Sequence, residues 1–127
     1  IMRRMHEAKL NGDDQFWCWG DGSPLREFLY IDDMAEACYA CMQNYSDSEI
    51  INIGTGYDIS IKELTQVIAE VIGYSGEIYW DTSKPNGTPR KVMNVDKLLG
   101  LGWKPKVDIV EGLTKTYEWF KENYDRI

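Results

Sequence analysis

Residues 59–73 constrain this chain more than any other stretch. Ser60 and Glu63 form an S-x-x-E capping box, and Ile59 and Leu64 stand where a hydrophobic staple would close over it. Ile61, Leu64, Val67, Ile68, Val71 and Ile72 then follow the 3.6-residue period, and Gly73 supplies the stop. A helix so one-sided must lay its stripe on something. Aromatic and β-branched runs at 15–19 (QFWCW), 26–31 (REFLYI), 50–53 (IINI) and 77–81 (EIYWD) offer a sheet. The first two are separated by the turn residues 20–24 and either pair or flank a loop.

The flanking segments repeat the theme. Residues 1–10 place Ile1, Met5 and Ala8 on one helical face and end at Asn11-Gly12. The chain therefore opens on Ile1 inside a helical pattern, as though its beginning lay upstream. Asp33 and Glu36 read as a capping box that opens a helix through about Met42, with Ala35, Ala37, Cys38 and Ala40 permitting close packing. After a loop at 82–89 and a short run at 91–95, residues 96–99 give one helical turn. A last helix starts at the Asp108/Glu111 box with a stripe of Val110, Leu113, Tyr117, Phe120 and Tyr124. Short strands alternating with amphipathic helices make the fold class α/β, in one domain over residues 1–127.

Composition narrows the function classes. With 43% hydrophobic and 28% charged residues, collagen-like and disordered readings are excluded. No apolar run approaches the roughly 18 to 20 residues of a membrane span, and no basic-then-apolar leader opens the chain, so a cytoplasmic protein with no membrane partner is expected. The formal charge of −7 argues against nucleic acid as a partner, because phosphate neutralisation needs a basic face. Three cysteines, Cys18, Cys38 and Cys41, are too few for a disulfide framework, and with His6 the single histidine no metal-ligand set forms.

Several motifs carry bland readings. Tyr117 and Lys121 have Y-x-x-x-K spacing, but Tyr117 belongs to the apolar stripe and no glycine-rich strand precedes it. Gly54-Thr55-Gly56 lies between a strand-like run and a helix, yet position 59 is Ile, so the G-x-G-x-x-G pattern is incomplete and a tight turn is the better reading. Asp32-Asp33 sits at a helix start, where a carboxylate caps free N–H groups. More informative is a basic and aromatic set: Arg3, Arg4, Trp19, Arg26, Lys84, Arg90 and Lys91. Arg offers a planar fork to phosphate, Lys a point charge, and Trp a flat apolar face, which together suit a nucleoside diphosphate sugar.

The runs W-G-D-G-S-P-L-R-E-F (19–28), Y-I-D-D-M-A (30–35) and N-I-G-T-G (52–56) resemble the C-terminal part of extended short-chain dehydrogenases that act on nucleotide sugars. R-R-M-H-E-A (3–8), D-T-S-K-P-N-G-T-P-R-K (81–91) and L-G-W (101–103) look like the GDP-L-fucose synthase branch of that family. The resemblance implies a small substrate-binding domain without the Rossmann core, binding a GDP-sugar. Arg4, Trp19, Arg26 and Lys91 match the family's substrate contacts, with Arg90, Asn86 and Cys18 as weaker candidates; Asn86 stands where some members carry an acid. It further implies that the parent enzyme is a homodimer using NADP bound by an upstream domain. That domain also supplies the catalytic residues, leaving this segment with neither cofactor nor activity of its own. Another nucleotide-sugar epimerase or dehydratase, or a stand-alone binding module, are the alternatives. The small-residue face of 33–42 and the run 50–54 are expected to pack on the upstream domain, leaving apolar surface exposed without it.

Overall fold

The computed structural model describes residues 1–126. Helix α1 (Met2–Asn11) turns Met5, His6 and Ala8 inward and ends at Gly12, whose φ of 73° is a left-handed conformation that costs glycine little. Strand β1 (Gln15–Trp19) follows, with Phe16 and Cys18 buried and the residues between them exposed. Its partner is β4 (Glu77–Asp81), aligned in parallel with Trp17 opposite Tyr79 and Cys18 opposite Trp80. On the outer face Trp17 and Tyr79 stack at 5.0 Å between ring centroids.

Helix α3 (Ile61–Ile72) forms as its sequence dictates. Ser60 Oγ accepts from the Glu63 N–H at 3.1 Å while the Glu63 carboxylate accepts from the Ser60 N–H at 2.8 Å, closing the capping box. Its Leu64, Ile68 and Ile72 enter one core with Met5, Phe16 and Cys18 from the α1/β1 side and Tyr117 and Phe120 from α5 (Ile109–Asn123). Each such buried side chain contributes about 1.5–3 kcal/mol of transfer free energy. Asp108 caps α5, accepting from the Glu111 N–H at 2.8 Å. Val110 does not join the expected stripe: it is exposed, and Ile109 packs against the core instead. His6 lies between α1 and α5, with Nδ1 2.9 Å from the Tyr117 hydroxyl and Phe120 and Tyr124 edge-on around it.

A second, smaller core gathers Ala37 of α2 (Ile31–Asn44), Val95, Leu98 of α4 (Asp96–Gly100) and Trp103. Here two sequence expectations change. Tyr30 occupies the cap position of α2, so Asp33 falls inside the first turn and makes no capping box with Glu36. Asp33 is buried at 2% exposure, and its Oδ2 accepts from the backbone N–H groups of Lys106 and Val107 at 3.0 and 2.9 Å. A segment crossing the helix start has two donors to satisfy, and the carboxylate meets both. Residues 50–53 form no ladder; Ile51 and Ile53 pack on the second core, and Asn52 donates to the Asn94 carbonyl at 3.0 Å.

Of the small residues Ala37 and Ala40 pack on this second core within the chain itself, whereas Ala35 and Cys38 are exposed. Ile31, Tyr39, Met42 and Ile50 remain exposed. Of the 26–31 run only Arg26 pairs, in β2 (Leu25–Arg26), which is antiparallel to β3 (Ile59–Ser60) and parallel to β5 (Arg90–Lys91). The architecture is α/β with one two-stranded and one three-stranded sheet. Among the described residues no helix is long and apolar enough to cross a membrane, and no cluster of His, Cys, Asp or Glu could hold a metal ion.

Candidate functional site

The three-stranded sheet brings two of the basic residues together. Arg26 on β2 is in register with Lys91 on β5, and register partners on parallel strands project to the same face. Arg26 is half-buried and donates from Nη1 to the Leu25 carbonyl at 2.6 Å. Among the described residues neither cation has a carboxylate partner. Two adjacent positive charges on one sheet face, left without internal counter-ions, have the chemistry of an anion site.

Arg90 differs. It stands on the opposite face of β5 and forks onto Asp58, with Nε to Oδ2 at 2.5 Å and Nη2 to Oδ1 at 3.3 Å. That hydrogen bond and the charge of Asp58 hold the Arg90 pKa above its ordinary value. The 82–89 loop closes the other end. A Cβ on Gly87 would lie 3.2 Å from Arg26 Nη2, so the loop backbone runs close to the guanidinium. Asn86 Oδ1 accepts from the Asp21 N–H at 3.0 Å and sits against Gly20, tying this loop to the W-G-D-G turn. Trp19 precedes that turn, 74% exposed, with Lys84 Nζ 5.9 Å from its ring centre.

Trp19 is flanked by acids. Asp21 is held below the ordinary carboxylate range chiefly by the Ser23 side chain and N–H, and Asp81 chiefly by the Ser83 hydroxyl. Asp81 also stands beside the Lys84 ammonium over the ring, and the exposed indole offers a flat apolar face.

Arg4 and Cys18 lie apart from this group. Arg4 Nη2 donates to the Trp17 carbonyl at 2.8 Å, and its guanidinium sits 5.1 Å from the Phe16 ring centre, so its fork engages β1. The Cys18 side chain enters the main core, and burial pushes its thiol pKa up.

On the far side of Arg26 lies a cleft of about 340 Å³ bounded by Phe28, Tyr57, Ile59, Lys106 and Asp108. A second hollow of about 300 Å³ continues it past Phe28 to Tyr30 and Leu113. Volumes near 300 Å³ lie at the lower end for small-molecule sites, and aromatic walls with few polar groups are their usual lining. Phe28 does not stand out in the sequence, because an aromatic in a strand-like run reads as core, and Tyr57 lies between a glycine turn and a helix start with no motif of its own.

Glu27 is the other residue the sequence does not single out. Its Oε1 accepts from the Gly56 N–H at 2.6 Å, with Gly56 at φ 76°. The Gly54-Thr55-Gly56 turn therefore does bind an anion, but the anion is the protein's own carboxylate. It does not fit a dinucleotide phosphate. The one signal available was an acid set between a strand arginine and a phenylalanine.

Neither Tyr117 nor Lys121 faces these cavities. Tyr117 is buried against His6, and Lys121 bonds to Glu118 with Nζ 5.0 Å from the Tyr117 ring centre.

The NAD dependent epimerase/dehydratase family model matches residues 1–54. A putative GDP-L-fucose synthase 2 of Arabidopsis thaliana is 53% identical over 97% of this chain and 38% of its own length. GDP-L-fucose synthase of Escherichia coli strain K12 is 44% identical over 99% of the chain and 42% of its own length. The crystal structure of a GDP-L-fucose synthetase from Naegleria fowleri bound to NADP superposes with a TM-score of 0.92 at 31% identity, over 98% of this chain and 40% of that one. The chain thus spans about two fifths of the curated relatives it matches. Along almost its whole length the chain is similar to about two fifths of the length of GDP-L-fucose synthases, and over residues 1–54 it matches the NAD dependent epimerase/dehydratase family model.

Proposed function

We propose that residues 1–127 form the GDP-sugar-gripping domain of an NADP-dependent epimerase/reductase that converts GDP-4-keto-6-deoxy-D-mannose to GDP-L-fucose. The observation that carries this reading is the register pair Arg26 and Lys91, uncompensated on one sheet face beside a cleft of ligand size. Arg26 offers the diphosphate a planar fork, and Lys91 adds a point charge from the next strand. Trp19 packs on the sugar or nucleoside with its exposed indole face. Asn86 positions the loop that covers Arg26. Arg4, Arg90 and Cys18 support the site through the strands they brace.

Gripping a remote nucleotide contributes to catalysis by holding the reacting sugar in place. NADP would supply the hydride for reduction of the 4-keto group. On this reading its binding turn and the groups that move protons during epimerisation and reduction lie outside residues 1–127. The segment by itself is then inactive, and the complete enzyme is a cytoplasmic homodimer.

Calorimetric titration of the chain with GDP, UDP and dTDP tests the reading. GDP is expected to bind more tightly than the other two, and Arg26→Ala to weaken it about ten- to a hundredfold, the worth of a charge-assisted contact. Preference for UDP or dTDP would point to a 4-epimerase or 4,6-dehydratase instead. Turnover of the keto-sugar with NADPH by this chain alone would overturn the division of labour.

A further inference from the structure

We propose that Glu27 is the positioning residue that holds Arg26 and Lys91 together as an anion-binding pair, a role that rests on the site described above. Both oxygens of its carboxylate are engaged, by segments far apart in the chain. Oε1 accepts from the Gly56 N–H at 2.6 Å and from the Thr55 hydroxyl at 3.3 Å. Oε2 accepts from the Met93 N–H at 3.0 Å. Glu27 follows Arg26 directly, and Met93 lies just past Lys91. The carboxylate therefore closes the sheet immediately beyond the point where the β2–β5 ladder ends.

That ladder is two residue pairs long. Strand pairs of this length do not hold their register unaided, and a slip of one residue would turn Lys91 to the face now occupied by Arg90. The bond from Met93 to Glu27 fixes the register from one side, and the Leu25 N–H, donating to the Pro89 carbonyl at 2.8 Å, fixes it from the other. Glu27 lies one residue past β2, and among the described residues it forms no ion pair with either cation. Neutral N–H and O–H donors satisfy its charge, so both cations stay available to a ligand.

The N-I-G-T-G motif serves this carboxylate. Gly54 has an ordinary φ, so its glycine is not needed for backbone conformation. It is needed for room: a Cβ there would collide with Glu27 Oε1 and come within 2.9 Å of its Cδ.

Titration of the 127-residue chain with GDP, and with guanosine as the ligand lacking phosphate, separates the possibilities. Glu27→Gln is expected to weaken GDP about tenfold and guanosine less than twofold, because only the cation pair is disturbed. Gly54→Ala displaces the carboxylate without touching either cation. It should give the same selective loss, and the double variant should lose no more than either single one. If Glu27→Gln does not fold, Gly54→Ala carries the comparison alone. Equal losses for GDP and guanosine, or GDP affinity within twofold of the parent while Arg26→Ala lowers it, would overturn the role of Glu27 and leave the anion site standing. GDP binding indifferent to Arg26→Ala would overturn the site itself, and this proposal with it.

Discussion

Replacing Asp33 gives the sharpest test of the fold, because the sequence and the structure assign it different work. As a capping-box residue it would be worth about 1 kcal/mol, and Glu36 would share the effect. In the structure its Oδ2 alone receives the N–H groups of Lys106 and Val107, at 3.0 and 2.9 Å, and the residue is 2% exposed. Hydrogen bonds to a charged group are worth about 1.5–3 kcal/mol each, and solvent screening takes little from them at this depth. Asp33→Ala strands both donors beneath the segment that walls the cleft, so the expected cost is about 3–4 kcal/mol. Asp33→Asn keeps an oxygen in the same place with two lone pairs, losing only the charge assistance, about 1 kcal/mol.

Urea unfolding followed by far-UV circular dichroism reads the difference. With a slope of about 1.5 kcal/mol per molar urea, the alanine variant should shift the midpoint down by about 2 M and the asparagine variant by less than about 1 M. Glu36→Ala should shift it little, because Glu36 makes only an exposed ion pair with Lys106. Equal losses for Asp33→Ala and Asp33→Asn, or an alanine cost no larger than that of Glu36→Ala, would refute the bridging role and restore the capping one.

Ser60→Ala should cost about 1 kcal/mol in the same assay, since it opens one side of the capping box; no change in midpoint would show that α3 is held by packing alone. Burial holds the Tyr74 and Tyr117 pKa values above the ordinary tyrosine value of 10.0. The folded state thus retains these protons longer than the unfolded one. Their contribution is complete below about pH 10 and is lost as pH rises through the folded values, so the urea midpoint should fall on going from pH 9 to pH 11. A flat profile there would contradict it. Thiol labelling followed by mass spectrometry should modify exposed Cys38 first and Cys18 only on unfolding. Rapid labelling of Cys18 under native conditions would mean that β1 does not face the core as described.

The residues of this chain determine its helices by themselves, and its tertiary structure decides what those helices and strands are for. The Ser60/Glu63 box, the stops at Gly12 and Gly73 and the cap at Asp108 are all legible, because each is an interaction within three or four residues. The runs at 15–19 and 77–81 are legible as strands for the same reason. That they pair with each other in parallel is not, since nothing local distinguishes that partner from the run at 26–31. The site divides in the same way. Arg26, Lys91 and Trp19 are candidates by residue type and motif, but only the register of β2 on β5 sets Arg26 beside Lys91 and turns Arg90 onto Asp58. Glu27 and Asp33 lie furthest from sequence reading. Each is a carboxylate whose partners are backbone N–H groups dozens of residues away, and backbone donors leave no mark on composition or periodicity.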